Sequence, residues 1–495
     1  MAARAMQLPI PTGTYASPDV RSSARRLINC FSEQAPQDNY TNDSKQKQPP
    51  VVLRRAYGID TLATDGTTNA CRGAWAMQGV EYVVIGPTLY TMSSAGVLSS
   101  VGTGIPGSGF VRMTDNSQCL VILLPGTKIC WTYDLQTTKL KQLTAAGFVQ
   151  YGAIDCWFID SYIVFLALNG REFFNDDGQA NSGTGQITFN FGNVFAREFG
   201  TDNYVGGTIS NRNVYLFGER TSEIYVDTGA STTVGSPFSD APNGFIQIGM
   251  CIGAQYSAVN QNNTVYWIAN DRTVRTMNGV SPVRVSNHGI EGVLAGIDMT
   301  GMYGFAYSMS GHLMVAWTFP AADAGRTLVY DCTTGEWHEM SSYGLGYWRP
   351  LCCHNAFGKY LVGDSQGGNV GVLDLNTLTE WGTQRSSKWI HQSVYQNNNR
   401  LSHRRLELVL GGGFAPLTGA ADSINPVITL LYSDDGGETF RSQPMRSLGT
   451  TGQYNNRIIW FGLGIARQRV YAFEISSAAE SWITDLVLDA EMGRW

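Results

Sequence analysis

The sequence predicts an all-β protein whose main body is a β-propeller of about seven blades, and three observations support this fold class. Val, Ile, Thr and aromatic residues are frequent, and long runs of Ala, Leu, Glu and Lys are missing. Glycine is abundant, with 56 residues, as expected for a chain with many tight turns. A strand–turn phrase also recurs along the chain at intervals typical of propeller blades.

The recurring phrase consists of an apolar or aromatic residue, an aspartate, and a threonine three positions after that aspartate. The turn between flanking apolar residues predicts a hairpin. We expect the aspartates Asp134, Asp331 and Asp374 to set turns at the ends of blades, and not to act as catalytic acids. The three clearest copies are TYDLQTTKLKQL (132–143), TLVYDCTTGEWHEM (327–340) and VLDLNTLTEW (372–381).

The spacing of the phrases is regular. Tyr90 precedes Tyr133 by 43 residues, and Tyr330 precedes Leu373 by the same number. Turn chemistry could recur by chance in any β-rich chain, but two equal intervals favour a structural repeat. Weaker copies bring the phrases to seven, 41 to 55 residues apart; they lie at Phe174, Tyr225 and Arg275.

The first 55 residues are rich in proline and basic residues, and they predict an extended N-terminal arm. Such a segment is either a disordered leader or an arm that becomes ordered on a partner. The stretch RRLINCFSEQAP (25–36) is too apolar for a linker, which favours an arm lying along a neighbouring blade or subunit. Deleting residues 1–35 is then expected to leave a folded β protein that no longer assembles.

The remaining boundaries follow from the periodicity. We assign residues 56–385 to the propeller, because the repeat ends near Trp381. Residues 386–399 form a predicted connector, and residues 400–495 a β-sandwich-like domain. Five candidate strands support the sandwich: 406–410, 427–432, 457–462, 469–475 and 482–488.

Arginines near the two chain ends are the candidate assembly contacts. Around the predicted connector, basic residues alternate with Trp389 and Tyr395, which fits a solvated connector, a subunit contact or a contact with the DNA backbone. The candidate assembly residues are Arg21, Arg25, Arg26, Arg404 and Arg405.

Composition argues against several classes of protein. The net charge is −6 without a basic stripe, which disfavours a DNA-coating protein. Nine cysteines lie scattered without a CxxC pair, so we predict neither a disulfide framework nor a zinc site. We also predict that the protein is made in a reducing compartment. The N-terminus lacks the apolar core of a signal peptide, and no apolar run approaches the length of a membrane span.

Motifs for catalysis are weak, and the sequence predicts no enzyme, no cofactor and no metal. GTGIPG (102–107) matches a dinucleotide fingerprint by its letters, but no helical pattern follows it. Six histidines show no HExxH spacing. In CCH (352–354), neighbouring side chains on a strand point to opposite faces and cannot readily close on one ion.

The segment SDDGGETF (433–440) resembles the Asp-box of sialidases and other β-propeller proteins. We expect it to hold a hairpin turn, because aspartate can accept hydrogen bonds from nearby backbone N–H groups. A glycosidase marker is the less favoured reading. The residues that carry the pattern are Ser433, Asp435, Gly437, Thr439 and Phe440.

Both ends of the chain resemble the packaged-DNA stabilisation or tail hub proteins of short-tailed phages. At the start, the resemblance lies in residues 9–36, with the phrase RLINCFSE, and in PPVVLRRAYGID (49–60). At the end, it lies in residues 436–477. Tyr57 departs from the family, which often has proline at that position. We expect the departure to matter little, because the fold does not depend on a proline ring there.

The resemblance implies a structural virion protein, made in the host cytoplasm and seated in the tail as a homohexamer. Its implied partners are portal-adaptor ring proteins and a distal tail needle, spike or fibre. It would retain packaged DNA and continue the ejection channel without sequence-specific binding or a membrane span. Two alternatives remain open: a sialidase-like propeller that binds or cleaves glycans, and a receptor-binding tail-tip protein.

Overall fold

The structure is a computed structural model that describes residues 4–17, 23–34, 51–177, 187–189, 193–229, 237–321, 324–411, 421–453 and 456–492. Six strands precede the first complete blade. They are β1 (Arg4–Leu8), β2 (Tyr15–Ala16), β3 (Ala24–Ile28), β4 (Cys30–Gln34), β5 (Val51–Arg55) and β6 (Gly58–Thr64).

Six four-stranded antiparallel blades follow in chain order, five as separate sheets and the sixth as part of a larger sheet, and then the first three strands of a seventh blade. Blade 1 is β7 (Cys71–Met77), β8 (Val80–Ile85), β9 (Thr88–Met92) and β10 (Leu98–Thr103); blade 2 is β11 (Arg112–Asp115), β12 (Cys119–Leu123), β13 (Cys130–Asp134) and β14 (Lys139–Gln142), followed by α1 (Ala146–Tyr151). Blade 3 is β15 (Asp155–Ile159), β16 (Tyr162–Leu166), β17 (Glu172–Asn175) and β18 (Val194–Ala196); blade 4 is β19 (Tyr204–Ser210), β20 (Asn213–Gly218), β21 (Ser222–Asp227) and β22 (Phe238–Ile246). Blade 5 is β23 (Val259–Gln261), β24 (Thr264–Ile268), β25 (Val274–Asn278) and β26 (Ser281–Arg284), followed by α2 (His288–Gly296); blade 6 is β27 (Tyr303–Met309), β28 (His312–Phe319), β29 (Arg326–Asp331) and β30 (Glu336–Met340). Blade 7 begins with β31 (Pro350–Ala356), β32 (Lys359–Asp364) and β33 (Asn369–Asp374).

The ring closes with a strand from the beginning of the chain. β6 pairs antiparallel with β33, so that Ile59 lies opposite Leu373 and completes blade 7. The first strand of each blade is the innermost, and β31 of blade 7 lies beside β7 of blade 1. The predicted propeller is therefore confirmed, with seven blades.

Apolar clusters between neighbouring blades hold the ring together. On β29, Val329 packs toward blade 7, whereas Tyr330 packs toward blade 5. The Tyr330 ring lies 5.0 Å from the Trp337 ring, and Trp337 stacks on Trp317 at 5.8 Å. Because strand side chains alternate between two faces, each blade contributes to two clusters.

The last part of the chain forms the sandwich. Its elements are β36 (Ser387–Ile390), β37 (Val394–Tyr395), β38 (Leu401–Gly411), α3 (Ala421–Ile424), β39 (Val427–Ser433), β40 (Arg441–Ser442), β41 (Arg446–Ser447), β42 (Asn456–Phe461), β43 (Ile465–Ala466), β44 (Gln468–Ile475) and β45 (Trp482–Met492). Before them in the chain, β34 (Thr379–Glu380) and β35 (Thr383–Gln384) extend the sheet of blade 7 beyond β6. One sheet has the order β4-β5-β45-β38-β42, with β1 also on β45, and the other runs β3-β36-β44-β39-β40. The predicted C-terminal sandwich is confirmed.

The described parts of the N-terminal arm are strands of the chain's own sheets. β1, β4 and β5 belong to the first sandwich sheet, and β3 lies between blade 6 and the second sheet. Leu8, Leu27, Phe31 and Leu53 are buried, so this arm contributes apolar side chains to the core. The sequence pattern did not reveal this role. The predicted domain boundaries stay predictions.

Candidate functional site: the interdomain seam

Strand β3 attaches the sandwich to the propeller. It pairs in parallel with β30, where Ile28 lies beside Glu339. It also pairs antiparallel with β36, where Leu27 lies opposite Trp389. Leu27 has no exposed surface and packs in the sandwich core. One sheet thus continues from blade 6 into the sandwich, and the junction of β3, β30 and β36 with its buried polar side chains is here named the interdomain seam.

Asn29 fixes the backbone at the end of β3. Its φ of 56° lies in the left-handed region, which asparagine adopts more readily than most residues. Its side-chain nitrogen donates to the carbonyl oxygens of Ser341 at 2.9 Å and Ser386 at 2.7 Å. Its Oδ1 accepts from the Ser341 backbone N–H at 2.9 Å. One side chain therefore ties the arm to both domains.

Arg55 lies buried in the interdomain seam and satisfies backbone carbonyls. Its Nε donates to Ser387 Oγ at 2.9 Å. Its terminal nitrogens donate to the carbonyl oxygens of Ala479 at 2.8 Å and Arg385 at 2.9 Å. Burial, together with the nearby Arg385 charge, lowers the pKa of Arg55 to about 9. The hydrogen bonds offset part of the cost of burying this charge.

Arg385 is the second buried guanidinium of the interdomain seam, and it has a carboxylate partner. It donates to Glu380 Oε1 at 3.0 Å. Its other terminal nitrogen donates to the carbonyls of Ala56 at 2.6 Å and Tyr57 at 2.8 Å. Trp348 Nε1 donates to the same Glu380 oxygen at 2.9 Å. Arg385 lies at the start of the basic stretch around the predicted connector, and its side chain is 1% exposed.

Arg26 forms a two-pronged ion pair across the interdomain seam. Its Nε and Nη2 donate to the two carboxylate oxygens of Glu339 at 2.9 and 2.8 Å. Arg326 Nε lies 3.5 Å from the same carboxylate. Burial raises the pKa of Glu339, but the Arg26 charge and hydrogen bonds outweigh it and bring the pKa below the ordinary value. The pair fixes how β3 lies on blade 6.

The predicted assembly arginines occupy different environments, and their assembly role stays a prediction. Arg21 lies outside the described residues. Arg25 Nε donates to Ser23 Oγ at 3.3 Å, and Arg26 belongs to the interdomain seam. Arg405 Nε donates to Asp489 at 2.7 Å. Arg404 pairs with Glu491 and keeps 58% of its side chain exposed, so it is the most accessible of those described.

Each turn aspartate is the last residue of the third strand of its blade. Asp331 Oδ1 accepts from the Thr333 backbone N–H at 2.9 Å, and Oδ2 accepts from Thr334 Oγ1 at 2.8 Å. His312 Nδ1 is 2.7 Å from Asp331 Oδ2. Burial raises the pKa of Asp331, but hydrogen bonds from His312 and the threonines lower it below the ordinary value.

Asp134 and Asp374 make the corresponding local contacts. Asp134 Oδ2 accepts from the Thr137 backbone N–H at 2.9 Å. Asp374 accepts from the Asn376 backbone N–H at 3.1 Å and from Thr377 Oγ1 at 3.2 Å. These contacts join each aspartate to residues two or three positions further along the chain.

The Asp-box-like segment forms the turn between β39 and β40 of the sandwich. Asp435 Oδ1 accepts from Ser433 Oγ at 2.5 Å and from the Thr439 backbone N–H at 3.0 Å. Ser433 Oγ in turn accepts from the Gly437 N–H at 2.8 Å. The Phe440 ring lies beneath Lys388 Nζ at 5.0 Å. Hydrogen bonds from Ser433 and Thr439 hold the pKa of Asp435 well below its usual range.

A tyrosine–glutamate–arginine cluster that the sequence did not reveal lies between blades 3 and 4. Glu223 accepts hydrogen bonds from Tyr204 and Tyr225, both at 2.8 Å, and from Arg197 Nε at 2.9 Å. The Gly200 N–H also donates to it at 2.8 Å. All of these side chains are at least 95% buried. The cluster has the residue types of a sialidase centre. However, the Glu223 carboxylate already accepts four hydrogen bonds and is buried, so a sugar cannot reach it.

The glycine-rich loop at 102–107 surrounds an arginine. Arg72 donates to the carbonyl oxygens of Gly109 at 2.6 Å, Gly86 at 2.9 Å and Pro106 at 2.9 Å. The loop leads from β10 to β11, without the helix that a dinucleotide site requires. Within the loop, the Pro106 carbonyl accepts from Arg72, while the N–H groups of Gly104 and Ile105 both donate to the Pro87 carbonyl at 3.0 Å.

The described part of the chain offers neither a metal-binding cluster nor a membrane-spanning helix. Within the described residues, no group of three His, Cys, Asp or Glu side chains could hold a metal ion. Across the ranges given above, no helix has the length and apolarity to cross a membrane. In the segment 352–354, His354 accepts from the Ala76 backbone N–H at 3.1 Å.

Comparison with known proteins gives a match to both domains. A family profile described as "Bacteriophage P22 Gp10, beta-propeller" matches residues 6–378, and one described as "Bacteriophage P22 Gp10, beta-sandwich" matches residues 388–493. No curated protein matches the chain.

Solved structures show only a distant likeness. The computationally designed Ika8 protein is 15% identical, with a TM-score of 0.38, and 70% of this chain and 99% of that chain are covered. BamB from Moraxella catarrhalis is 11% identical, with a TM-score of 0.36 and coverage of 70% and 98%. The extracellular domain of BT4673 from B. thetaiotaomicron is 12% identical, with a TM-score of 0.39 and coverage of 87% and 62%. We draw no conclusion from scores this low.

Proposed function

This chain belongs to the bacteriophage P22 Gp10 family of phage stabilisation proteins, and from this premise we propose that it joins the portal-adaptor assembly of a short-tailed phage to its distal tail. The family is one of virion structural proteins. The finer role that we propose is to retain packaged DNA and to continue the channel through which DNA is ejected.

The observation that carries this proposal is the family match over both domains, and the interdomain seam gives it a mechanical rationale. A connector must transmit force between two neighbours without letting its halves separate. Here, a continuous sheet passes from blade 6 through β3 into the sandwich, and Arg26 pairs with Glu339 across it. A junction of backbone hydrogen bonds and buried ion pairs suits such a load.

The proposed assembly is a homohexamer around the DNA axis, with adaptor-ring proteins on one side and a needle, spike or fibre on the other. A net charge of −6 per chain would disfavour adhesion of a sliding duplex. We propose no catalytic activity and no cofactor. We keep the division into an arm (1–55), a propeller (56–385), a connector (386–399) and a sandwich (400–495).

The cluster around Glu223 does not support the glycan-cleaving alternative. A glycosidase carboxylate must reach the sugar, whereas Glu223 is 1% exposed and accepts four hydrogen bonds. The Asp-box-like turn lies in the sandwich, where Asp435 bonds to its own hairpin. A receptor-binding tail tip remains the competing structural role.

The decisive experiment uses phage particles that assemble with and without this protein. Gold bound to a C-terminal tag is located by negative-stain microscopy, and retained DNA is measured by nuclease protection. We expect gold in a ring beneath the head, and heads that lose their DNA when the protein is missing. Gold at the fibre tips, with normal DNA retention in particles lacking the protein, would identify a tail-tip protein instead.

A matched pair of variants tests the mechanical argument. Arg26→Ala removes an ion pair of the interdomain seam, whereas Arg457→Ala removes the exposed pair with Glu407 in the sandwich. If the interdomain seam carries load, particles with Arg26→Ala release DNA at a lower temperature than particles with Arg457→Ala. Equal release temperatures would refute the load-bearing role.

A further inference from the structure

Two cysteines meet where the propeller ring closes. The ring seam is the junction at which β31 of blade 7 lies beside β7 of blade 1. Cys352 lies on β31 and Cys71 on β7. The Cys352 thiol lies 4.0 Å from the Cys71 carbonyl oxygen, at the distance of a weak S–H···O hydrogen bond. The first and last blades therefore bring their thiols together.

Gly363 shows how closely the two sulfurs approach. It pairs with Cys352 across blade 7. A Cβ atom at Gly363 would lie 2.7 Å from the Cys352 sulfur and 2.7 Å from the Cys71 sulfur. Both sulfurs thus converge on one point, and they are no further apart than twice that distance. The glycine leaves free the space in which the two thiols meet.

The two thiols differ in access. Cys71 has no exposed surface. Cys352 is partly exposed and borders a cavity of about 120 Å³ at the centre of the ring. A molecule of the size of water or peroxide fits such a volume. Cys353, the next residue, packs between blades 6 and 7 and not against blade 1, so it faces away from Cys71.

The chemistry of the thiols sets the order of reaction. The hydrogen bond to Cys352, and then burial, raise the pKa of Cys71 well above its ordinary value. Because the thiolate is the reactive form, Cys71 is a poor first nucleophile. Oxidation therefore begins at Cys352, from the side of the cavity, and Cys71 reacts second as the resolving thiol.

We propose that Cys71 and Cys352 form a redox site that closes into a disulfide across the ring seam when the protein meets a peroxide. Cys352 loses its proton to water, and its sulfur attacks one peroxide oxygen; an S–O bond forms, the O–O bond breaks, and hydroxide leaves. The Cys71 sulfur then attacks the sulfenic sulfur; the S–S bond forms, the S–O bond breaks, and water leaves with the Cys71 proton. The two sulfurs lose two electrons and the peroxide gains them.

The disulfide would add a covalent bond to the closure of the propeller ring. β6 closes blade 7 through backbone pairing with β33 and through apolar packing of Ile59. A bond between residues 281 positions apart in sequence closes a long loop in the unfolded chain and lowers its entropy. A protein carried from a reducing cytoplasm into an oxidising medium would acquire this bond outside the cell. The proposal does not depend on the connector role.

The test uses the purified full-length protein, reduced with a phosphine and then exposed to hydrogen peroxide. Remaining thiols are alkylated, and the digest is searched by mass spectrometry for a peptide that joins Cys71 to Cys352. We expect that peptide, a faster band on a non-reducing gel, and a melting temperature raised by about 5 °C that dithiothreitol reverses.

Variants and an unfolded control make the result specific. Cys352→Ala should abolish the fast band, while Cys353→Ala, one residue away, should keep it; circular dichroism checks that both fold. Urea-unfolded protein should yield far less of the joined peptide. Recovery of both thiols alkylated after peroxide, oxidation of Cys352 to sulfinic acid with Cys71 free, or equal yield in urea would each overturn the proposal.

Discussion

The ring seam and the interdomain seam both join parts of the chain that are far apart in sequence. The two junctions differ in the chemistry of their buried side chains. At the ring seam, burial raises the pKa of Glu81 to about 8 and lowers the pKa of His354, so these neighbours tend toward their neutral forms. At the interdomain seam, Arg385 and Glu380 are paired and charged side chains. The ring seam lies within the propeller and is packed like a hydrophobic core. The interdomain seam lies between the propeller and the sandwich, and there directional charge pairs fix the register, as buried polar groups do in some other proteins.

The largest effect should follow from removing the arm. Deleting residues 1–35 takes away β1 to β4, with the buried side chains of Leu8, Leu27 and Phe31. We now expect the sandwich to lose its cooperative unfolding transition, while the propeller keeps its closing strand β6. Calorimetry and limited proteolysis measure this, with deletion of residues 1–3 as the control. A truncated protein with wild-type transitions would restore the sequence-based expectation that the arm serves assembly alone.

The next largest effect concerns a single charge of the interdomain seam. Arg385→Met leaves Glu380 buried without its cation and two carbonyls without donors. We expect a loss of about 3–5 kcal/mol in the free energy of unfolding of the junction, measured by urea denaturation. The double variant Arg385→Met, Glu380→Gln should recover part of it. A loss below about 1 kcal/mol would mean that the charges do not hold the domains.

The contribution of the ring seam to folding stability should depend on pH. Glu81 is fully buried, and neither of its carboxylate oxygens has a hydrogen-bond partner. Because its pKa is raised from 4.5 to about 8 in the folded protein, its contribution to stability is complete below pH 4.5 and is lost as the pH rises through 8. From pH 6 to pH 9, wild type should lose about 2 kcal/mol more than Glu81→Gln. If wild type and Glu81→Gln lose the same free energy of unfolding with rising pH, as measured by urea denaturation, then ionisation of Glu81 does not destabilise the folded protein.

The smallest effect should come from an exposed ion pair away from both seams. Arg404 pairs with Glu491, and its side chain is 58% exposed. Water and salt screen such a pair, so Arg404→Ala should change the free energy of unfolding by less than about 1 kcal/mol. Assembly on the virion should be measured with the same variant, since a large assembly defect without a stability defect would support its predicted contact role.

The sequence was most informative where the signal was local and repeated. All seven marker residues, from Tyr90 to Leu373, lie on the third strand of their blades. Asp331 and its counterparts could be assigned to turns because their partners are two or three residues away. The five candidate strands of the sandwich are strands as well.

The sequence was least informative where partners are far apart. Nothing near Ile59 indicates that it pairs with Leu373, and nothing near Leu27 indicates Trp389. The cluster around Glu223 draws on the end of one blade and two strands of the next, so no spacing announces it. Burial decides the chemistry of that cluster and of Arg385, and burial is a property of the fold.

The use of early strands to finish late sheets has a consequence for synthesis. β6 cannot pair until β33 has left the ribosome, more than three hundred residues later. At about 5–20 residues per second, this takes roughly 15–60 s. Until then, β6 lacks its partner β33, and the sandwich partners of β3 and β1, which are β36 and β45, follow later still. The completion of the ring and its attachment to the sandwich are therefore timed by the end of translation, and a chain that stops short of blade 7 exposes open sheet edges to other chains.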